Sequence, residues 1–244
     1  MEKKDILDFD LILYDTNASC IMGVEKEFIS SGRLDNLLST LIGVDSIISA
    51  SENINLCESI NILACFDNEE VGSLSGQGAD STVFFNFLKR VFKTLSTDKD
   101  NYKDSFLAAC NRSFALSADL SHATHPNYSS KHQPNHKVEM HTGVTLKINS
   151  NLRYSTNTEG AAILKNLGKN IDVPIQEFIV NQDSPCGTTI GPIINSNTGI
   201  KTVDIGIGCF AMHSIRETAS TIDCYHYLNL MKGFYNSNCT DYSI

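Results

Sequence analysis

The stretch INILACFDNEEVGS, residues 60–73, joins an apolar run to a cluster of acidic side chains. Residues 60–66 are apolar enough to predict a fully buried strand near the centre of a sheet. Asp67, Glu69 and Glu70 follow at once, although adjacent carboxylates repel one another and are costly to remove from water. In open α/β sheets, sites gather just past the carboxyl ends of central strands. This junction therefore predicts a functional site.

The composition limits the class of protein. The 244 residues are 41% hydrophobic and carry a formal net charge of −9. Such a chain can bury one sizeable core, and the acidic balance argues against nucleic acid as a partner. The charged N-terminus predicts no signal peptide, and no run is long enough to span a membrane. The eight cysteines lack metal-binding spacing, so we interpret them as reduced thiols of a cytoplasmic protein.

Apolar runs of strand length alternate with segments of helical period. Strands are predicted at 6–14, 60–66, 113–119, 144–148, 173–180 and 202–208, and helices at 33–48, 80–95, 102–113, 159–168 and 217–234. The first helix carries an apolar stripe made by Leu34, Leu37, Leu38, Leu41 and Val44. The alternation predicts an α/β fold, a three-layer sandwich whose central mixed sheet has helices on both faces. We expect a single domain over residues 1–244.

Four separate segments deliver polar side chains to predicted strand ends or to a helix entry. These are Glu69 and Glu70 after 60–66, Asp119 after 113–119, His213 after 202–208, and Asp35 at the first helix. A divalent ion turns repulsion between carboxylates into shared coordination, and oxygen and imidazole ligands suit zinc, manganese or cobalt. Adjacent glutamates cannot easily ligate one ion in the same way. We therefore expect one glutamate to bind metal and its neighbour to handle the proton of a water molecule.

Each of these residues also has a purely structural explanation. Adjacent glutamates are favoured in the first turn of a helix, because of the helix dipole. Asp35 could cap its helix and Asp119 could begin a turn. His213 could be a histidine that only satisfies hydrogen bonds in the fold. The residue types and their positions leave both explanations open.

Five motifs together carry a resemblance to a known family. They are RLDN (33–36), DNEEVGS (67–73), SADLSHATHPNY (117–128), SPCGTTIGP (184–192) and AMHSIRET (211–218). In this order they resemble the aspartyl aminopeptidase family of two-zinc exopeptidases, from about Ile6 to about Tyr235. The resemblance implies a cytosolic peptidase that removes an N-terminal aspartate or glutamate from peptides. It also implies large assemblies of identical subunits.

The resemblance assigns roles to the candidate residues. By motif, Asp35 is similar to the carboxylate that bridges two zinc ions, Glu69 to the general base and Glu70 to a ligand of one metal. Asp119 is similar to a ligand of the other metal, and His213 to a ligand that shares a metal with Asp35 and Glu70. Zinc would then activate a water molecule, and Glu69 would deliver the proton of that water to the leaving amine.

Specificity for an acidic first residue requires a cation in the substrate pocket. The resemblance assigns this role to Lys147 in VTLKINS. It places Tyr154 and His122 nearby as further substrate contacts. A buried ammonium that faces a carboxylate fixes the choice of substrate better than a generally basic surface. The alternative for Lys147 is a solvated charge on an edge strand.

The family also has a segment ahead of RLDN without a counterpart in this chain. That segment holds the first half of the catalytic domain, a dimerisation domain, one metal-binding histidine and one substrate-binding histidine. We therefore expect the sheet to lack its N-terminal strands and one zinc site to be incomplete, whereas the site of Asp35, Glu70 and His213 is complete. One hypothesis is an aminopeptidase. The other is a catalytically impaired fragment, or a non-catalytic binding or assembly subunit that retains part of the metal site.

Overall fold

The computed structural model describes residues 2–52 and 59–237. The elements within these ranges are β1 (Cys20–Met22), β2 (Phe28–Ser31), α1 (Leu34–Ser51), α2 (Thr82–Leu95), α3 (Tyr102–Arg112), β3 (Phe114–Ala118), β4 (Ser121–His122), β5 (Val144–Lys147), α4 (Thr158–Asn170), β6 (Ile175–Phe178), α5 (Gly191–Thr198), β7 (Lys201–Gly206), β8 (Gly208–Phe210), β9 (Glu217–Ser220) and α6 (Thr221–Asn236). Short 3-10 turns occur at Lys3–Asp5, Glu69–Val71 and Pro126–Lys131.

The strands form two mixed sheets. The first has the order β1-β2-β9-β8-β4, with antiparallel neighbours except for the parallel pair β4 and β8. The second has the order β3-β7-β5-β6, in which only β5 and β7 are antiparallel. The predicted α/β class is confirmed, but the strands are divided between two sheets instead of one. The predicted run 202–208 passes from β7 into β8 and so from one sheet to the other.

The main core packs strands of both sheets against α1, α4 and α6. In β5 and β7, Val144, Leu146, Val203 and Ile205 have no exposed surface. These two strands therefore lie at the centre of the core. Helices on both faces and a single domain over 1–244 remain predictions.

The apolar stripe of α1 divides between core and surface. Leu34 and Leu38 are buried together with Ile42, whereas Leu37, Leu41 and Val44 are exposed. The buried face contains small polar residues, including Ser46, whose hydroxyl donates a hydrogen bond to the Leu228 carbonyl of α6. Small residues of this kind allow α1 and α6 to approach each other closely. The apolar periodicity of the sequence does not identify them as buried, because they are polar. The predicted stripe is therefore correct at Leu34 and Leu38 and wrong at Leu37, Leu41 and Val44.

Two predicted strands, at 6–14 and 60–66, are wrong: neither forms a strand in the described part of the chain. A strand needs a hydrogen-bonding neighbour, and none of the described strands pairs with residues 6–14. Leu7 and Leu13 are each 96% exposed. The predicted helix 217–234 is also corrected at its start, because residues 217–220 form β9.

The remaining predicted elements agree with the structure to within a few residues, including α2, α3, α4, β3, β5 and β6. Among helices in the described ranges, none combines the length and the apolar character needed to cross a bilayer.

Candidate metal centre

Three loops bring Asp35, Glu70 and His213 together. Each offers one ligand atom, and these atoms lie within 4.8 Å of one another. The His213 Nε2 atom lies 3.0 Å from Asp35 Oδ2 and 3.2 Å from Glu70 Oε1. Among the His, Cys, Asp and Glu side chains in the described ranges, these three form the group whose ligand atoms are close enough to share one metal ion.

Each of the three ligands lies at or close to a residue with an unusual backbone conformation. Asp35 lies at the start of α1 but has non-helical backbone angles, and Arg33 before it is left-handed with a φ of 58°. Glu70 lies in the 3-10 turn that follows Asn68, which has a φ of 59°. His213 itself has a φ of 66°. Non-glycine residues rarely adopt this conformation unless their surroundings hold them there, and such residues concentrate at functional sites.

Asp119 lies just beyond the end of β3, beside the three ligands. The Asn36 side-chain amide donates a hydrogen bond of 2.7 Å to the Ala118 carbonyl, which ties the start of α1 to this strand end. The Lys147 ammonium lies 2.9 Å from Asp119 Oδ2. Gly206 of β7 is necessary here, because a Cβ at this position would overlap the Asp119 carbonyl oxygen. The backbone of Asp119 is therefore fixed from several sides.

The carboxylates perturb one another strongly. Burial, a hydrogen bond with Asp119 and the charges of Asp119 and Glu70 raise the pKa of Asp35 to about 9. Burial pushes the pKa of Asp119 upward, but the charge of Lys147 and hydrogen bonds from Asp35 and Lys147 lower it overall. The pKa values of these two neighbouring carboxyl groups are thus shifted in opposite directions. A divalent cation would relieve the same repulsion by coordination.

Glu69 differs from Glu70 in its surroundings, although both lie in one turn. Glu69 is half-buried, whereas the Glu70 side chain is 59% exposed. Burial, followed by the negative charges of Asp119 and Glu70, raises the pKa of Glu69 to about 7. A carboxyl group with a pKa near neutrality can both accept and return a proton at physiological pH. The two glutamates are therefore suited to different tasks.

Lys147 is 2% exposed and lies on β5, an interior strand of its sheet. The alternative that it is a solvated charge on an edge strand is therefore wrong. Its ammonium lies 5.5 Å from the centroid of the Tyr154 ring, within cation–π distance. His122 is on β4, where partial burial and the nearby charges of Lys147 and His213 lower its pKa. The roles of these three residues in substrate binding remain predictions.

Sequence reasoning missed Glu217, a buried carboxylate at the start of β9. It is 1% exposed. Its Oε2 atom accepts a hydrogen bond of 2.8 Å from the Asp35 N–H, and its Oε1 atom accepts one of 2.7 Å from the His213 N–H. The sequence signal was an acidic residue four positions after His213 within AMHSIRET. That signal gave no indication of a contact with Asp35.

The donor set of this centre fits zinc. Two carboxylates and one imidazole, converging from three loops, match a catalytic zinc site, which has three protein ligands and one open position. Asp35, Glu70 and His213 are therefore the residues that would hold the ion. Asp119 and the second oxygen of Asp35 are candidate ligands for a further ion.

Known proteins resemble the chain over almost its whole length. The profile of a family described as Aminopeptidase I zinc metalloprotease (M18) matches residues 1–235. Aspartyl aminopeptidase 4 of Saccharomyces cerevisiae is 45% identical over 237 residues, covering 95% of this chain and 48% of that protein. Aspartyl aminopeptidase of Caenorhabditis elegans is 44% identical over 236 residues, covering 96% of this chain and 49% of that protein. The chain thus spans about half the length of these relatives.

Solved structures are similar over the same extent. A chain in the cryo-EM structure of the Ape4 and Nbr1 complex has a TM-score of 0.87 and 37% identity, covering 97% of this chain and 44% of that chain. The mApe1 dodecamer of Saccharomyces cerevisiae gives a TM-score of 0.83 and 28% identity, with coverages of 94% and 50%. On this evidence of sequence and fold, the chain belongs to the M18 family of aspartyl aminopeptidases.

Proposed function

We propose that this chain carries the zinc centre of an aminopeptidase that removes N-terminal aspartate or glutamate from peptides. The observation that carries the proposal is the convergence of Asp35, Glu70 and His213, with Glu69 in the adjoining position, in an M18 family member. These three ligands would hold a zinc ion, and Asp35 with Asp119 would contribute to a second site. A bound zinc ion supplies Lewis acidity, which polarises a scissile carbonyl and makes a nearby water molecule more acidic.

Glu69 is the proposed general base. Its carboxylate accepts a proton from the attacking water molecule as the bond between water oxygen and carbonyl carbon forms. It returns that proton to the amine nitrogen as the carbon–nitrogen bond breaks. The half-buried position of Glu69, next to a ligand but separate from the three-ligand group, supports this division of labour.

Lys147 is the proposed determinant of specificity. An ammonium has three N–H donors, so its pairing with Asp119 leaves capacity for a substrate carboxylate. Because Lys147 is almost fully buried, its charge would recognise one bound side chain and would not attract anions generally. Tyr154 and His122 are proposed as neighbouring substrate contacts.

The test compares peptides that begin with aspartate with matched peptides that begin with alanine. Glu69→Gln keeps the shape of the side chain, and we expect a loss of about 10²–10⁴-fold in activity with bound zinc unchanged. Glu70→Gln should instead lose zinc, and added zinc should restore part of the activity. Lys147→Ala should remove the preference for acidic residues.

The second candidate function is a catalytically impaired or non-catalytic subunit that retains part of the metal site. It predicts that the chain binds zinc through His213 but hydrolyses no peptide. Failure to bind zinc would refute both candidates. A preference for neutral first residues would refute the proposed specificity.

We also propose association of identical subunits. The relative mApe1 of Saccharomyces cerevisiae forms a dodecamer, which supports this proposal. The exposed apolar residues of α1, including Leu37 and Leu41, offer a surface for such contacts.

A further inference from the structure

We infer that Glu217 is a positioning residue that holds the backbones of two zinc ligands, Asp35 and His213, in place before any metal binds. The inference rests on the proposed zinc centre and concerns a residue outside the proposed ligand set. It explains why a carboxylate is almost fully buried at the start of a strand.

The sheet order places Glu217 between the two ligand loops. Strand β9 lies between β2 and β8 in the first sheet. The loop after β2 leads to Asp35, and the loop after β8 leads to His213. In the strand register Glu217 lies opposite Ser31, the last residue of β2, while Thr218 lies opposite Phe210, the last residue of β8. The Glu217 side chain is therefore at the point where both loops leave the sheet.

Both carboxylate oxygens of Glu217 are used. One accepts the Asp35 N–H at 2.8 Å and the other accepts the His213 N–H at 2.7 Å. Hydrogen bonds to an ionised acceptor are stronger than neutral ones, and burial at 1% exposure strengthens them further. His213 has a left-handed backbone with a φ of 66°, a conformation that needs such support. One side chain thus fixes the spacing of two ligands that come from distant parts of the chain.

Zinc affinity should depend on this arrangement. Outer partners that orient metal ligands typically contribute about 10–100-fold to metal affinity. Glutamine has one acceptor oxygen and a donor amide group, so Glu217→Gln leaves one of the two backbone N–H groups facing another donor. We therefore expect Glu217→Gln to weaken zinc binding by about 10–100-fold.

Asp223 supplies a matched control. It is also fully buried, and its two oxygens accept the N–H groups of His141 and Gly143 at 2.7 and 2.8 Å. Asp223→Asn removes one acceptor from the same kind of arrangement, but neither of its partners is a proposed ligand. We expect this variant to lose thermal stability and to retain the zinc affinity of the unmodified chain.

Zinc affinity is measured by competition with a chromophoric chelator, on the whole chain after metal removal. Equal affinity for Glu217→Gln and the unmodified chain would overturn the inference. Equal weakening by Glu217→Gln and Asp223→Asn would also overturn it, because the effect would then be general destabilisation. If the unmodified chain binds zinc no better than His213→Ala, the zinc centre and the proposed function fail instead.

A second measurement uses the unmodified chain, so its result does not depend on whether a variant folds. In the metal-free unmodified chain, we expect the amide protons of Asp35 and His213 to be protected from hydrogen exchange, as read residue by residue by NMR. Exchange of both amides at the rate of unstructured peptides would overturn the inference.

Discussion

Replacing Lys147 by methionine tests how the charges beside the metal centre are balanced. Methionine has a similar length and volume, so the change removes the charge and largely keeps the packing. The Lys147 side chain is 3% exposed, and its ammonium lies 2.9 Å from an Asp119 side chain that is 27% exposed. The substitution leaves this carboxylate next to Asp35 without its cation.

The expected loss follows from burial. Removing one partner of a buried ion pair costs about 3–5 kcal/mol, and the remaining exposure of Asp119 favours the lower value. For a chain of this size, a loss of about 3 kcal/mol corresponds to a fall in Tm of about 6–12 °C. Lys165→Met is the control, because Lys165 pairs with Glu177 while its side chain is 49% exposed. An exposed pair of this kind contributes at most about 1 kcal/mol.

Scanning calorimetry at neutral pH, first with chelator and then with zinc, separates the two variants. Zinc should restore more stability to Lys147→Met than it adds to the unmodified chain, because Asp119 becomes free to contact a cation. A fall in Tm for Lys147→Met no larger than that for Lys165→Met would refute the reasoning. The Asp119–Lys147 contact would then be energetically unimportant.

Three further predictions follow from the geometry. Elemental analysis after dialysis should find about one zinc ion per chain, since three ligands with an open position form one site, and His213→Ala should lose that ion. Gly206→Ala should lower stability by about 1–3 kcal/mol, measured by thermal melting, because a Cβ would overlap the Asp119 carbonyl. The chain should self-associate as its concentration rises in sedimentation velocity, and the double substitution Leu37→Lys, Leu41→Lys should reduce this association.

Each of these predictions has a contrary result. Two tightly held ions per chain would mean that Asp35 and Asp119 form a second strong site. For Gly206, the control is Gly76→Ala, since a Cβ at Gly76 has no neighbour within 4 Å, and equal losses from both variants would contradict the overlap. A monomer at every concentration would contradict the proposal that Leu37 and Leu41 on α1 mediate self-association.

Local patterns predicted the elements that depend on local chemistry. The run VTLKI predicted β5, and the helical period of residues 159–168 predicted most of α4, which Asn157 caps by accepting the Gly160 N–H. The pattern of residues 6–14 alternates just as clearly, yet it forms no strand among the described residues. A strand forms only when a neighbouring strand pairs with its backbone hydrogen-bonding groups. The periodicity of one segment carries no information about whether such a neighbour is present.

The candidate site likewise contains residues that the sequence could identify and one that it could not. Asp35, Glu70 and His213 could be selected from the sequence because their residue types suit metal binding, as do their positions after predicted strands or, for Asp35, at a helix entry. Glu217 could not be selected, because its role depends on backbone N–H groups from two loops that only the sheet order brings together. The division of the strands into two sheets was hidden for the same reason, since β2 and β9 pair across most of the chain.

The separation of the ligands along the chain has a consequence for protein turnover. Asp35 and His213 are 178 positions apart, so an unfolded chain offers no comparable site. An ion bound by the folded state alone adds its binding free energy to the stability of the fold, about 4.1 kcal/mol when free metal exceeds Kd a thousandfold. Proteases degrade the transiently unfolded chain. Under the proposed zinc site, the lifetime of this protein in a cell would therefore rise and fall with the zinc supply.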